Sequence, residues 1–379
     1  MIVIADDITG AAEMAGIAHQ HGLTVRLSIA GSLCCDIVAA EGTDMLVIAT
    51  DTRSMTEEEA VNETHRIVSS LPQQGGAKGG SLFKKTDSAL RGHVVAELSA
   101  LMQATGYRRA IYLPANPSKG RVIRNGCYYI KEVRGEKSEV REVPIHETAF
   151  SYDPEFPAKT SVLKERFPDA EAHHILMPDA ETTADIQQIV TANNNPDTLM
   201  AGAADLFEAV LKTRETRKTR GTRNTRNTRD TRKSTLFLCG STQSKPLDLG
   251  FPVTPMPIAI YDGSEDITPW LEEAEKLYEQ QGSLMITIPH RHRTGKEVAI
   301  HLRETTARLI HHLVEKQAPQ QLIIEGGASA FATLQHLGWN ELEVVCQIAP
   351  GVIKTKAPNG TFVIMKPGSY PWGHLTSYL

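Results

Sequence analysis

Two acids stand side by side near the start of the chain, Asp6 and Asp7, with Thr9 and Gly10 directly after them. A second polar run, Lys85-Thr86-Asp87-Ser88, leads to Arg91 and Gly92; a third reads Asp51-Thr52-Arg53-Ser54, and a fourth Pro114-Ala115-Asn116. Each follows a short apolar stretch. A guanidinium at Arg53 or Arg91 can grip a carboxylate through paired, charge-assisted hydrogen bonds, whereas Asp7 and Asp87 can accept bonds from hydroxyls. That mixture suits a small molecule carrying both an acid group and several hydroxyls. Simpler roles compete at single positions. Asp7 or Thr9 would cap a helix opening at Gly10-Ala11-Ala12, and Lys85 and Arg91 could form surface ion pairs. Neither role explains four such runs together.

The second half of the chain carries a different set. Leu322-Ile323-Ile324-Glu325 runs into Gly326-Gly327-Ala328-Ser329, the pattern of a strand, a tight turn and a helix start. Backbone N–H groups exposed at such a turn, at the positive end of a helix, suit a phosphate. Gly240-Ser241-Thr242, Pro350-Gly351 and Lys366-Pro367-Gly368-Ser369 add three more glycine turns after apolar runs. There is no GxxxxGK[ST] and no GxGxxG, which excludes a P-loop and a dinucleotide fingerprint. The pairs His173/His174, His290/His292 and His311/His312 lack acidic or Cys partners at ligand spacing, so no metal ligand is assigned.

Positioning these runs requires alternating strands and helices. Apolar runs predict strands at Ile2 to Ala5, Val25 to Ile29, Met45 to Thr50, Ser81 to Thr86 and Ala110 to Ala115. Spacings of three and four predict helices at Thr9 to Gln20, Thr56 to Leu71 and His93 to Thr105, the second opening with a Thr56/Glu59 capping box. Short β-like pieces follow at Cys127 to Val133 and Glu142 to Ile145. Then come strands at His174 to Met177 and near Leu199, and helices from Thr183 and over Ala203 to Lys212. Strands are predicted again at Leu236 to Cys239, Leu284 to Ile288, Leu322 to Glu325, Val344 to Ile348 and Phe362 to Met365. Helices lie between them at Pro269 to Gln281, Gly295 to Lys316 and Ser329 to Leu337. The expected fold is two α/β domains with mainly parallel sheets, the active-site cleft lying between the domains. In such sheets ligands bind beyond the carboxyl ends of the strands, where all of the polar and glycine runs fall.

At 379 residues, two domains are the natural division. Their expected bounds are 1–212 and 235–379. Between them a Thr-Arg dipeptide repeats seven times from Thr213 to Arg232; its period of three matches neither helix nor strand burial, which predicts a solvated linker over 213–234. Net charge is −5, yet residues 213 to 233 carry seven Arg and two Lys against Glu215 and Asp230, so the remainder is near −12. That acidity argues against nucleic acid as a partner. The five cysteines (Cys34, Cys35, Cys127, Cys239, Cys346) are scattered, without zinc spacing, which favours a reducing cytoplasm. The amino terminus has no signal-peptide form, and no apolar run is long enough to span a membrane.

These motifs carry a family resemblance. Asp6-Asp7-Ile8-Thr9-Gly10-Ala11 resembles the ADD-x-TGA opening of the four-carbon acid sugar kinases. Lys85-Thr86-Asp87-Ser88-Ala89-Leu90-Arg91-Gly92 resembles their K-x-DS-x-LRG, and Pro114 to Pro117 with Gly120-Arg121 is similar to their next motif. Gly240-Ser241, Gly326 to Ser329, Ala349-Pro350-Gly351 and Lys366 to Ser369 extend the resemblance over most of the chain. It implies an amino-terminal acid-sugar domain, a carboxy-terminal nucleotide domain, and transfer of the γ-phosphoryl of ATP to the 4-hydroxyl of a threonate or erythronate, with Mg2+ accompanying ATP. Substrate is then expected on Asp7, Arg53, Lys85, Thr86, Asp87, Ser88 and Arg91, with Asp7, Asp87 and Lys85 catalytic. ATP is expected on Ser241, Gly326, Gly327, Ala328, Ser329, Gly351 and Gly368. The family commonly carries a small or acidic residue and then Thr where this chain has Ala328 and Ser329; Ser329 keeps the hydroxyl, and any contact by a longer side chain at 328 is absent. A 3-oxo-tetronate substrate is the alternative within the family. A haloacid-dehalogenase-type phosphatase would need its acids two apart, as D-x-D-x-T, and Asp6 and Asp7 are adjacent. A non-catalytic sugar-acid binder would leave the glycine turns without a purpose. The expected partners are the sugar acid and ATP, with neither nucleic acid nor membrane, and a homodimer is left open.

Overall fold

The computed structural model describes residues 1–29, 42–71, 82–134, 139–153, 155–215, 233–240, 247–289, 295–368 and 370–379. Two compact units emerge. The first gathers Met1–Met14 and Leu33–Gly221, the second Ala15–Ser32 and Thr222–Leu379.

Strands are, in chain order, β1 (Ile2–Ala5), β2 (Val25–Ile29), β3 (Met45–Ala49), β4 (Leu82–Lys85), β5 (Arg109–Leu113), β6 (Arg121–Arg124), β7 (Cys127–Arg134), β8 (Glu139–Pro144), β9 (Ile175–Leu176) and β10 (Thr198–Gly202). They continue as β11 (Thr235–Cys239), β12 (Val253–Pro255), β13 (Ser283–Thr287), β14 (Gln321–Glu325), β15 (Glu341–Ala349), β16 (Val352–Lys356) and β17 (Phe362–Lys366). Helices are α1 (Ile8–Gln20), α2 (Glu57–Ser70), α3 (Val94–Thr105), α4 (Leu163–Arg166), α5 (Thr183–Asn193), α6 (Ala204–Glu215), α7 (Ile258–Tyr261), α8 (Thr268–Gln281), α9 (Lys296–Gln317) and α10 (Gly327–His336).

The first unit holds a parallel run in the order β3-β1-β4-β10-β5-β9. Its strands read as continuous apolar segments because both faces are covered; Val3, Ala5, Val47 and Phe83 are fully buried. After β1 the chain adds β3 on one side and β4 on the other, which makes the carboxyl end of β1 a topological switch point. Helix α2 starts as its sequence predicts: the Thr56 side chain accepts from Glu59 N–H, and Glu59 accepts from Thr56 N–H at 2.8 Å. A separate antiparallel sheet, β6-β7-β8, follows β5.

In the second unit the order is β12-β13-β11-β14-β17-β16-β15-β2, parallel from β12 to β17 and antiparallel beyond. Here β11 is the switch point, with β13 and β14 on its two sides. Phe237, Ile323 and Ile364 are fully buried at the centre, and the Trp372 ring meets Phe237 edge-on at 5.4 Å. Full burial of each such side chain contributes about 1.5–3 kcal/mol.

Two features depart from the pattern expected from chain order. Strand β2 pairs antiparallel with β15, Leu27 opposite Leu342, and so groups with the second unit although it lies within the first 30 residues. Strand β16 is unmarked by apolar alternation because Lys354 and Lys356 interrupt it; Lys354 is nonetheless buried, its Nζ 4.4 Å from the centre of the Phe362 ring. Of the Thr-Arg repeat, residues 213–215 close α6, and 216–232 lie outside the described residues. The parallel α/β architecture itself agrees with the sequence reading.

Candidate functional site

The first cluster forms at the switch point of the first unit. Asp7 follows β1 and caps α1: its Oδ1 accepts Gly10 N–H at 2.7 Å and its Oδ2 accepts the Thr9 hydroxyl at 2.5 Å. The capping role is thus real, and it leaves Asp6 unexplained. Asp6 is tied elsewhere, its Oδ2 accepting Arg53 Nε at 3.1 Å and Nη2 at 2.9 Å. Arg53 Nη1 donates to Asp7 Oδ2 at 3.0 Å, and Nη2 lies 3.7 Å from Asp87 Oδ1. One guanidinium therefore gathers the ends of β1, β3 and β4. Asp51, at φ 55°, turns the chain sharply enough after β3 to aim Arg53 there.

Asp87 is bound as tightly. Its Oδ2 accepts Ala89 N–H at 2.9 Å and Arg91 Nε at 2.9 Å, and its Oδ1 accepts Arg91 Nη2 at 3.0 Å. Arg91 Nη1 reaches Asp153 Oδ2 at 3.4 Å. Leu90 holds φ 64°, a conformation an L-residue adopts at a cost of order 1–3 kcal/mol, and it is what folds Arg91 back over Asp87. Lys85, buried, donates to the Thr86 carbonyl at 2.8 Å and lies 3.9 Å from Glu13, which Lys119 also pairs with. A Cβ on Gly10 would sit 2.8 Å from Asp7 Oδ1 and 3.1 Å from Lys85 Nζ, so the glycine is what admits both groups.

The three aspartates are electrostatically distinct. Burial pushes the Asp6 carboxyl above its ordinary value, with Asp7 adding to the rise and Arg53 opposing it; Asp6 Oδ1 is buried without a partner. Burial would raise Asp7 too, but Arg53, Lys85, the Thr9 hydroxyl and the Gly10 amide outweigh it and hold that carboxyl below the usual value. At Asp87 burial is overwhelmed by Arg53 and Arg91, which hold it well below the carboxylate range.

The structure thus brings Asp7, Arg53, Lys85, Thr86, Asp87, Ser88 and Arg91 to neighbouring strand ends. It also shows that both arginines expected to grip a ligand carboxylate already hold carboxylates of the protein. Sequence reasoning noted Asp6 without assigning it a role, and passed over Glu13, Tyr128, Phe150 and Asp153. Tyr128 donates to the Ser88 carbonyl, and the Arg91 Cζ lies 5.9 Å from the Phe150 ring centre. Tyr128, Phe150 and Asp153 come from β7 and the segment after β8, where no apolar period marks them, whereas Glu13 lies in α1.

The second cluster lies at the strand ends of the second unit. Gly326, at φ 104°, donates its N–H to Lys366 O at 2.9 Å and opens α10, with Ala328 exposed and Ser329 buried. Gly240 donates to Glu325 O at 3.0 Å; a Cβ there would lie 2.2 Å from Ser329 Oγ. Ser329 is therefore packed against the end of β11. Lys366 pairs with Glu325 at 2.6 Å, both buried, and its Nζ also donates to the carbonyls of Pro367, Gly368 and Tyr370. Gly351, at φ 74°, lies under the Tyr370 ring, 2.6 Å from where a Cβ would stand. Gly326, Gly327, Ala328, Ser329, Gly351 and Gly368 are accordingly neighbours of one connected set of strand ends. Ser241 lies outside the described residues, as do Cys34, Cys35, His290, His292 and Ser369. Among the described residues no three His, Cys, Asp or Glu side chains are grouped to hold a metal ion, and no helix is long and apolar enough to cross a membrane.

Comparison with known proteins gives consistent results. A family model described as a sugar-binding N-terminal domain matches residues 1–175, and one described as a nucleotide-binding C-terminal domain matches residues 256–370. The chain is 30% identical over 165 residues to a D-threonate kinase of Salmonella typhimurium, covering 44% of this chain and 35% of the relative. It is 34% identical over 140 residues to a D-threonate kinase of Cupriavidus necator, covering 37% and 32%. It is 31% identical over 156 residues to a 3-oxo-tetronate kinase of Escherichia coli K12, covering 40% and 39%. The matched stretch thus spans about a third of these curated relatives' length. The crystal structure of Haemophilus influenzae protein HI1011 superposes with a TM-score of 0.69 at 20% identity, covering 100% of this chain and 98% of that one. That of a Salmonella typhimurium LT2 protein does so at 0.73 and 18%, covering 98% and 96%. The two structures share its fold.

Proposed function

The chain belongs to the four-carbon acid sugar kinase family, and from that premise we propose that it transfers the γ-phosphoryl group of ATP to the 4-hydroxyl of a four-carbon sugar acid, D-threonate foremost. The observation that carries this reading is the pair of ligand-type clusters, polyol-and-acid chemistry at the end of β1 and glycine turns at the ends of β11, β14 and β17. Relatives named for D-threonate, D-erythronate and 3-oxo-tetronate all match at about the same level, so the substrate class is supported more broadly than D-threonate itself.

In the proposed reaction the substrate's hydroxyl oxygen attacks the γ-phosphorus, the bond from that phosphorus to the bridging oxygen of ADP breaks, and the hydroxyl proton passes to a carboxylate. Asp7 is the better placed acceptor. The Arg91 guanidinium occupies both oxygens of Asp87, whereas Arg53 reaches only Oδ2 of Asp7, so the proposed role of Asp87 is to hold the 87–91 turn and accept hydroxyl hydrogen bonds. Lys85, beside Asp7, neutralises charge on the transferring group, since such transfer depends chiefly on alignment and electrostatic stabilisation. Arg53 keeps Asp7 ionised. Thr86 and Ser88 line the substrate.

For ATP, the proposed contacts are Ser241, the Gly326–Ser329 turn, Gly351 and Gly368. The fit lies in the backbone: α10 begins with free N–H groups beside a glycine turn, while the buried Ser329 side chain shapes that turn. Magnesium would accompany the phosphates, held by them and by water. The aspartates of the first cluster are taken up by guanidinium groups and form no dedicated cage, so no step is assigned to a protein-held metal.

The test is a coupled assay of ADP release with a panel of four-carbon acids, followed by Asp7→Asn and Asp87→Asn in the wild-type background. Full turnover in both variants would remove both acids as proton acceptors. Stabilisation by ATP in thermal melts separates a kinase from a protein that only binds the acid.

A further inference from the structure

An acid substrate brings its own negative charge to a site already lined by Asp6, Asp7, Asp87 and Asp153. Recognising it takes a cation that no protein carboxylate has claimed. Arg53 is held by Asp6 and Asp7, and Arg91 by Asp87 and Asp153. Arg166 is used up on the carbonyls of Leu90, Phe156 and Pro157. Lys85 and Lys119 share Glu13.

Arg121 is different. Its side chain donates to Ser88 Oγ, and its Cζ lies 5.7 Å from the centre of the Phe150 ring, the ring that Arg91 also faces. Among the described residues it has no carboxylate partner, and its Nε and Nη2 have no acceptor. It is half-buried, so a ligand can reach it while water screens it only in part. Its backbone is fixed on both sides: Arg121 and Asn116 exchange two backbone hydrogen bonds at 2.7 and 3.1 Å, and Gly120, at φ 68°, packs against Lys131. A planar guanidinium set over an aromatic ring and bonded to a hydroxyl is arranged for bidentate capture of a carboxylate. Ser88 completes the grip, because its oxygen accepts from Arg121 while its own proton remains to be donated.

We infer that Arg121, backed by Phe150 and assisted by Ser88, binds the carboxylate of the sugar acid and sets the preference for acids over neutral polyols. This rests on the kinase reading for its substrate class but not for its geometry. The roles then divide: Arg53 and Arg91 order the protein's aspartates, and Arg121 reads the ligand's charge.

The experiment compares wild type, Arg121→Gln and Arg121→Lys with D-threonate, L-threonate and D-erythronate, and with the uncharged threitol and erythritol, each with ATP. In Arg121→Gln the KM for the preferred acid should rise about 10- to 100-fold, as expected for loss of a charged, hydrogen-bonded contact. Its kcat should stay within about threefold, since the contact is made equally before and during reaction. The KM for ATP should not move, and the preference for acid over tetritol should collapse, with Arg121→Lys keeping part of it. An unchanged KM for the acid, or an equal loss for acid and tetritol, overturns the inference. Titration calorimetry with the same acids separates the two claims. If wild type phosphorylates no acid, the kinase reading fails, and the inference still stands if wild type binds an acid and Arg121→Gln binds it at least about tenfold more weakly. It falls if binding is equal in the two or absent from wild type. Equal melting temperatures for the two proteins confirm that the variant is folded.

Discussion

At the scale of single residues, the site is a set of aspartates made unequal by their neighbours. Asp7 accepts from Thr9, Gly10 and Arg53 yet keeps an exposed edge, and as the proposed proton acceptor its replacement by Asn should lower kcat by about 10²–10⁴-fold, read as ADP release. Asp87 predicts a pH effect. Its folded pKa lies below the unfolded one, so the stabilisation it brings is complete above the ordinary carboxylate pKa and is lost as pH falls below it toward the depressed folded value. The melting temperature should therefore drop steeply below about pH 4, and Asp87→Asn, less stable at neutral pH, should show a shallower drop over the same range. Cys239 offers an independent check of the other cluster. Burial, with Glu325 beside it, pushes its thiol up to about 12, so the native protein should resist iodoacetamide at Cys239 at pH 8 and react there only in denaturant, as mass spectrometry of the labelled peptides would show. Much of this was legible: Asp7, Arg53, Asp87 and Arg91 could be picked out because unlike charges gathered after apolar runs. Their pairing with one another was not, because a sequence shows which charges share an end of a sheet but not which of them neutralise each other.

At the scale of elements, buried ion pairs fasten the strand ends to their covering helices. Lys84, one residue before the site lysine, points to the other face of β4 and pairs with Glu97 of α3, which also accepts from Thr52 at 2.8 Å; Lys84 and Glu97 are each 2% exposed. Glu97→Ala would leave a buried, unpaired ammonium and should cost about 3–5 kcal/mol in urea unfolding, whereas Lys84→Met with Glu97→Leu should be close to neutral or stabilising. Strand β4 read as a strand because its surroundings are apolar; that two of its four residues are lysines with opposite destinations follows only from the period-two alternation of side chains. The β6-β7-β8 sheet was the least legible element. Its strands hold Arg121 and Tyr128, and Phe150 and Asp153 follow β8, all at spacings with no regular apolar period, so their convergence on Ser88, Arg91 and Asp87 belongs to tertiary structure. Gly240 makes the corresponding point for the second cluster. Gly240→Ala would drive a methyl into Ser329 and the Glu325 carbonyl, and should weaken ATP-induced thermal stabilisation before it unfolds the chain.

At the scale of the whole molecule, alternating apolar runs and helical periods were enough to predict parallel α/β architecture, because continuous apolar strands are what sheets covered on both faces require. Chain order misled at one place: β2 follows α1 directly but joins the sheet of the second unit, a long-range antiparallel pairing to Glu341, Leu342 and Glu343 that no local signal encodes. Strand order, in contrast, explains the positions of both clusters, since each lies where the chain turns from one side of a central strand to the other. The central claim, phosphoryl transfer from ATP to a four-carbon sugar acid, is tested most directly by 31P NMR of the protein with ATP and, in separate tubes, D-threonate, L-threonate, D-erythronate and the 3-oxo acid. The account predicts a phosphomonoester resonance in at least one tube, growing in step with ADP and split by the protons of the substrate's terminal carbon. ATP that persists unchanged in every tube, or that yields only inorganic phosphate, would contradict it.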